Sequence, residues 1–88
     1  MVIKLIQYGE SVGTRILARS IRKEIESNNE IVLIDFDGVR VVSNSFADEL
    51  IGVFIRQHGY DKLKSKYKFK NSNAEVKETI KQVIFSCL

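Results

Sequence analysis

Ile31-Val32-Leu33-Ile34-Asp35-Phe36-Asp37-Gly38-Val39 opens with four apolar, mainly β-branched residues and closes in an acidic turn containing glycine. A continuous apolar run of this kind reads as a strand covered on both faces, and therefore as the central strand of an α/β sheet. Asp37-Gly38 supplies the bend that ends it. Toward the N-terminus, residues 2–8 are mainly β-branched and apolar and stop at Gly9, which predicts a first strand. Between the two strands, residues 14–27 place Leu17, Ala18, Ile21 and Ile25 within about 100° of a helical wheel. Arg15, Arg19, Arg22, Lys23 and Glu26 fall on the opposite side, Ser11 is a candidate cap, and Asn28-Asn29 ends the helix.

Toward the C-terminus, Ser43-Asn44-Ser45 precedes a second helical pattern, with Ser45 and Asp48 spaced as in a capping box and Gly59 closing the helix after His58. This helix is unusually apolar. Phe46, Ala47, Leu50, Ile51, Val53, Phe54 and Ile55 spread over about 200°, leaving Ser45, Asp48, Glu49, Gly52 and Arg56 in the polar sector. Such a helix needs several neighbours, either within the domain or in a second chain. Residues 63–70 then alternate, with Leu63, Ser65, Tyr67 and Phe69 on one face and Lys64, Lys66, Lys68 and Lys70, in line with Lys62, on the other. The spacing predicts a half-exposed strand. A final helix from Ala74 gathers Val76, Ile80, Val83, Ile84 and Cys87 into one arc and points Phe85 away from it. The order βαβαβα predicts a small α/β domain with a mainly parallel sheet of three to four strands packed against helices, the second helix lying centrally.

Eighty-eight residues with 44% hydrophobic and 28% charged side chains make a single domain, 1–88, with a thin core. One cysteine, Cys87, forms no internal disulfide, and with the single histidine, His58, it makes no zinc site of the usual kind. A lone cysteine suits a reducing compartment. With no apolar run of spanning length and no signal-peptide pattern at the start, the expected location is the cytoplasm.

Catalytic signatures are sparse. Phosphate-binding glycine loops and paired histidines are missing, so neither a cofactor nor a metal is expected, and no catalytic residue is assigned. Asp35 and Asp37 lie where open α/β sheets place ligands, but they read more simply as turn residues. His58 sits in a last helical turn, where it caps carbonyls, and Cys87 falls on a buried face. The chain does not read as an enzyme.

Two surfaces carry more information. The segment 60–70 holds five lysines against one aspartate, whereas the whole chain is only +3. Lys62, Lys64, Lys66, Lys68 and Lys70 on one strand face would stand about 6.6 to 6.8 Å apart, suited to phosphates or an acidic partner. Lysines also protect an edge strand from pairing with other chains, and both readings stand. At the start of the second helix, the positive helix end favours an anion by about 0.3 to 1 kcal/mol, while the nearby Asp48 and Glu49 oppose it.

The run from Ile31 to Val39, then Ser45-Phe46-Ala47-Asp48-Glu49-Leu50 and Asn71-Ser72-Asn73-Ala74-Glu75-Val76, resembles the STAS-like domains of unknown function over residues 9–86. These in turn are similar to the STAS domains of bacterial anti-sigma-factor antagonists. That resemblance implies a bacterial or phage regulatory protein-interaction module with a kinase-like ATPase as partner. In those antagonists the kinase phosphorylates a serine in an Asp-Ser-Ser-Gly-like turn at this helix start. The register puts Ser43 at the aspartate, Asn44 at the phosphoacceptor, Ser45 at the next serine and Phe46 at the glycine. Asn44 takes no phosphoryl group, which leaves Ser43 and Ser45 as candidate phosphorylation sites. The expected partner-binding residues are Asn44, Ser45, Asp48, Glu49 and Gly52, the glycine because it often marks a close backbone approach. The competing expectation is a basic nucleic-acid-binding regulator that uses the lysine strand with Arg15, Arg19 and Arg22. Because Phe85 faces away from the apolar arc of the last helix, either the chain end frays or Phe85 covers a neighbour, and a homodimer is the second of these two readings.

Overall fold

The computed structural model describes residues 1–88 as a mixed α/β fold. Three parallel strands, β1 (Val2–Lys4), β3 (Val32–Asp35) and β5 (Tyr67–Lys70), form the main sheet in the order β1-β3-β5. Register aligns Ile3, Ile34 and Phe69 in one row and Val2, Leu33 and Lys68 in the next. Because side chains alternate across a strand, Ile3, Val32, Ile34 and Tyr67 share one buried face, while Val2, Lys4, Lys68 and Lys70 lie exposed on the other. The central strand is thus fully covered on one face only, since Leu33 on the outer face is half-buried.

The expected first strand stops early. Its partner β3 ends at Asp35, opposite Lys4, so nothing remains for the chain to pair with and Leu5–Tyr8 turn into a 3₁₀ helix. Leu5 is nevertheless fully buried. A second, two-stranded parallel sheet joins β2 (Ser11–Val12) to β4 (Val41–Val42). Ser11 therefore sits in a strand, and the cap of α1 (Arg15–Glu26) is Thr14, whose hydroxyl accepts from the Leu17 N–H at 3.2 Å.

The apolar second helix does lie centrally. It begins as α2 (Asn44–Ala47), continues through a π-helical segment (Asp48–Gly52) and ends as α3 (Val53–His58). It packs between α1 and α5 (Ala74–Ser86). Its N-cap is Ser43 rather than Ser45: the Ser43 hydroxyl accepts from the Phe46 N–H at 3.0 Å and donates to the Gly13 carbonyl at 2.8 Å. Gly59, at φ +91°, ends α3 as expected, its N–H donating to the Ile55 carbonyl at 2.7 Å.

The largest correction concerns the lysine strand. Tyr60–Lys66 form a helix, α4, and only residues 67–70 are extended. Tyr60, Leu63 and Tyr67 have the i, i+3, i+7 spacing of a helical stripe, and Ser65 contributes nothing apolar to the two-residue alternation. All four residues of β3 are already paired with β5, so a longer strand would have no partner. No helix is long and apolar enough to cross a membrane.

Candidate functional site

The start of α2 is held in place by a chain of ion pairs that the sequence pattern does not disclose. Arg15 on α1 reaches Asp48 at 2.9 Å and Glu49 at 3.5 Å, and Arg56 on α3 reaches the same Asp48 at 3.1 Å. Arg22, itself buried, donates to Glu49 at 3.0 Å and to Glu26 at 2.9 Å, while Arg19 stands 3.6 Å from Glu49. Glu26 also meets His58 at 2.8 Å, with the imidazole against the Phe54 ring. Hydrogen bonds from Arg56 and Arg15 hold Asp48 below the usual carboxylate range, overcoming its partial desolvation. For Glu49, burial raises the pKa, but Arg22 and Arg19 together outweigh it and the carboxyl titrates below its ordinary value. Asp48 pushes the Arg15 and Arg56 guanidinium groups up in return.

Five residues were expected to contact a partner, and they separate into two groups. Asn44 and Ser45 are exposed at the helix start, and Asp48 is half-buried beside them. With Arg15, Gln82 and Ser86 they line an open groove of about 310 Å³ between the beginning of α1 and the end of α5. Glu49 and Gly52, by contrast, are buried. Glu49 turns toward Arg22, and the close approach at Gly52 is made by side chains: a Cβ there would lie 2.6 Å from Asp48 Oδ1 and 3.3 Å from both Arg56 Nη1 and Val83 Cγ1. Neither is a surface contact of the free domain.

The two serines also differ. Ser43 is committed as a cap, with its hydroxyl used twice, whereas the exposed Ser45 makes no side-chain hydrogen bond within the chain. The carboxylates expected to repel an anion here are each met by two or more arginines.

The lysines do not form a row. Lys62 and Lys64 are exposed on α4, Lys68 and Lys70 project from the outer face of β5, and Lys66 is buried, its ammonium donating to the Asn28 carbonyl just beyond the end of α1. Arg22 is buried and Arg15 and Arg19 engage the carboxylates above, so the arginines expected to join the lysines are turned to internal pairing. Asp35 accepts from the Asp37 N–H and from Asn71 Nδ2, each at 2.9 Å, as the turn reading requires. The Asn71 and Asp37 hydrogen bonds lower its pKa. Cys87 is half-buried at the end of α5, 3.8 Å from the Gly52 carbonyl, and Phe85 projects outward.

The model of a family described as a STAS-like domain of unknown function matches residues 17–77, more than two-thirds of the chain. The chain belongs to that family. No curated protein and no solved structure matches it. The matched part of this STAS-like domain runs from α1 to the first turn of α5 and contains the whole ion-pair chain except Arg15.

Proposed function

We propose that this STAS-like domain is a non-enzymatic regulatory module that docks a partner protein, of the kinase-like ATPase class its resemblance implies, on the groove at the start of α2. The observation that carries this reading is the contrast at that groove. Asn44 and Ser45 present free polar side chains, while Arg15, Asp48 and Arg56 hold the backbone beneath them in one position. A docking surface gains affinity when it is ordered before the partner arrives, because less conformational entropy is lost on binding. Ile16, 79% exposed on α1, and Phe85, 70% exposed on α5, offer apolar surface on two helices that border the groove. Ser45 is the hydroxyl available for a phosphoryl group, since Ser43 would have to give up its cap.

Affinity capture from native host lysate, with and without ATP and followed by intact-mass analysis, tests the reading. The parent domain should retain an ATP-binding protein that Ser45→Arg fails to retain, with both domains melting within a few degrees of each other. A phosphoryl group on the bait, an increase of about 80 Da, should map to Ser45. Equal retention by both domains, or capture of no ATP-binding protein, would count against it. Asp48→Lys is the wrong variant, because it would break the pairs with Arg15 and Arg56 as well as any contact with a partner.

A further inference from the structure

We infer that the free edge of β5 is a second docking surface, built to receive an extended peptide in which acidic residues alternate with aliphatic ones. It is separate from the groove at α2, and neither reading depends on the other.

β5 is an edge strand, paired on one side only with β3. The Phe36 N–H donates to the Lys70 carbonyl at 2.9 Å, which fixes the phase of the ladder. In a parallel pair alternate residues direct both backbone groups to the same neighbour, so Lys68 and Lys70 face β3 and the N–H and C=O of Phe69 face outward. The Tyr67 N–H is taken by the Leu63 carbonyl at the end of α4, leaving Phe69 as the point of entry for a new strand.

An open groove of about 440 Å³ runs along this edge. Tyr67, Lys68 and Phe69 all line it, although successive side chains on a strand point to opposite faces, so the groove follows the edge itself. Leu63 from α4 and Ile84 from α5 complete an apolar wall with the two aromatic rings. Tyr60 and Lys64 form a rim, with the Lys64 ammonium 5.2 Å from the centre of the Tyr60 ring. A strand added here would turn every second side chain toward Leu63, Phe69 and Ile84, and the others toward the outer face beside Lys68 and Lys70. The first set is satisfied by aliphatic residues and the second by carboxylates, since opposite charges on neighbouring strands attract and like charges repel. Asp61, fully exposed, lies 3.8 Å from Lys64 at the rim. The same lysines disfavour a second copy, because pairing β5 with β5 would set lysine beside lysine.

The probe is a capped heptapeptide alternating glutamate and valine, titrated into the isotope-labelled domain and followed by amide NMR. Saturable shifts centred on residues 67–70, with slowed hydrogen exchange at the Phe69 N–H, are expected. The double variant K64E/K68E alters only exposed side chains and should bind roughly tenfold more weakly or worse. Its free amide spectrum should keep the dispersion of the parent, with shifts confined to the neighbourhood of residues 61, 64 and 68, where Lys64 meets Asp61 and Lys68 donates to the Lys64 carbonyl. A lysine–valine peptide should not bind, and N-methylation of the glutamate–valine peptide should abolish binding by removing its ladder donors. Shifts centred elsewhere, no saturation, or undiminished binding of the N-methylated peptide would overturn the inference. So would sedimentation showing that the chain alone dimerises through β5.

Discussion

Glu49 is only 5% exposed and still carries its charge, because Arg22, Arg19 and Arg15 surround it. Replacing it by glutamine keeps the shape but leaves Arg22 with one carboxylate, Glu26, in place of two. Hydrogen bonds to charged groups contribute about 1.5 to 3 kcal/mol, so Glu49→Gln should lower the unfolding free energy by about 2 kcal/mol in urea titrations. The pH dependence has a definite sign. Asp48 and Glu49 both titrate lower in the folded state than in the unfolded chain, so their contribution is complete above about pH 4 to 5. It is lost as pH falls through their depressed folded values. Stability should therefore hold from neutrality to about pH 5 and decline below about pH 4, less steeply in Glu49→Gln. Gly52 makes a second case at this scale. Alanine in a helix interior gains about 1 kcal/mol over glycine, but a Cβ here would meet Asp48 Oδ1 at 2.6 Å. Gly52→Ala should thus be neutral or destabilising in the parent and less costly in an Asp48→Ala background, where only the 3.3 Å contacts with Val83 and Arg56 remain, a coupling that a double-mutant cycle reads directly.

A π-helical segment inside an α-helix adds a residue to the turn, and the backbone groups it displaces need other partners. Two come from outside the helix. The buried Tyr67 hydroxyl donates to the Leu50 carbonyl at 2.9 Å, and Cys87 Sγ lies 3.8 Å from the Gly52 carbonyl. Desolvation pushes the Tyr67 hydroxyl well above its ordinary pKa, so it remains a donor throughout the physiological range. Tyr67→Phe removes that donor without changing the ring, and should cost about 1 kcal/mol in equilibrium unfolding. Hydrogen exchange should then quicken between residues 48 and 52 more than in α1. The same element shows how propensity and pairing compete. A strand at 63–70 fits the alternation of lysines, yet β5 can be only as long as the strand beside it. The surplus residues follow the helical stripe of Tyr60, Leu63 and Tyr67.

The whole molecule is a two-sided object. Helices and one sheet face enclose a single apolar core, and the other sheet face shows Lys4, Lys68 and Lys70 to solvent. Phe85 and Leu88, 70% and 71% exposed, lie outside that core at the end of the chain. Phe85→Ser should accordingly change the unfolding free energy by no more than about 0.5 kcal/mol. Sedimentation of the two proteins side by side then isolates any self-association through that end. A smaller species for the variant would mark Phe85 as a contact between copies, and identical sedimentation would remove it from that role.

Sequence periodicity alone determined the alternation of the three main-sheet strands with helices, the central strand at Ile31 to Ile34, the buried stripe of α1 and the helix end at Gly59, because each depends on residues within a few positions of one another. The exposed half of the candidate site, Asn44 and Ser45, was legible for the same reason. Glu49 and Gly52 were not: a helical wheel assigns both to the polar side and cannot see Arg22, 27 residues away, or the Asp48 carboxylate folded over the glycine. The lysine row failed on the same ground, since the length of a strand is set by its neighbour. Only the tertiary structure decided which charges face solvent and which face each other, because the Coulomb partner of a buried group is chosen by packing and not by sequence separation.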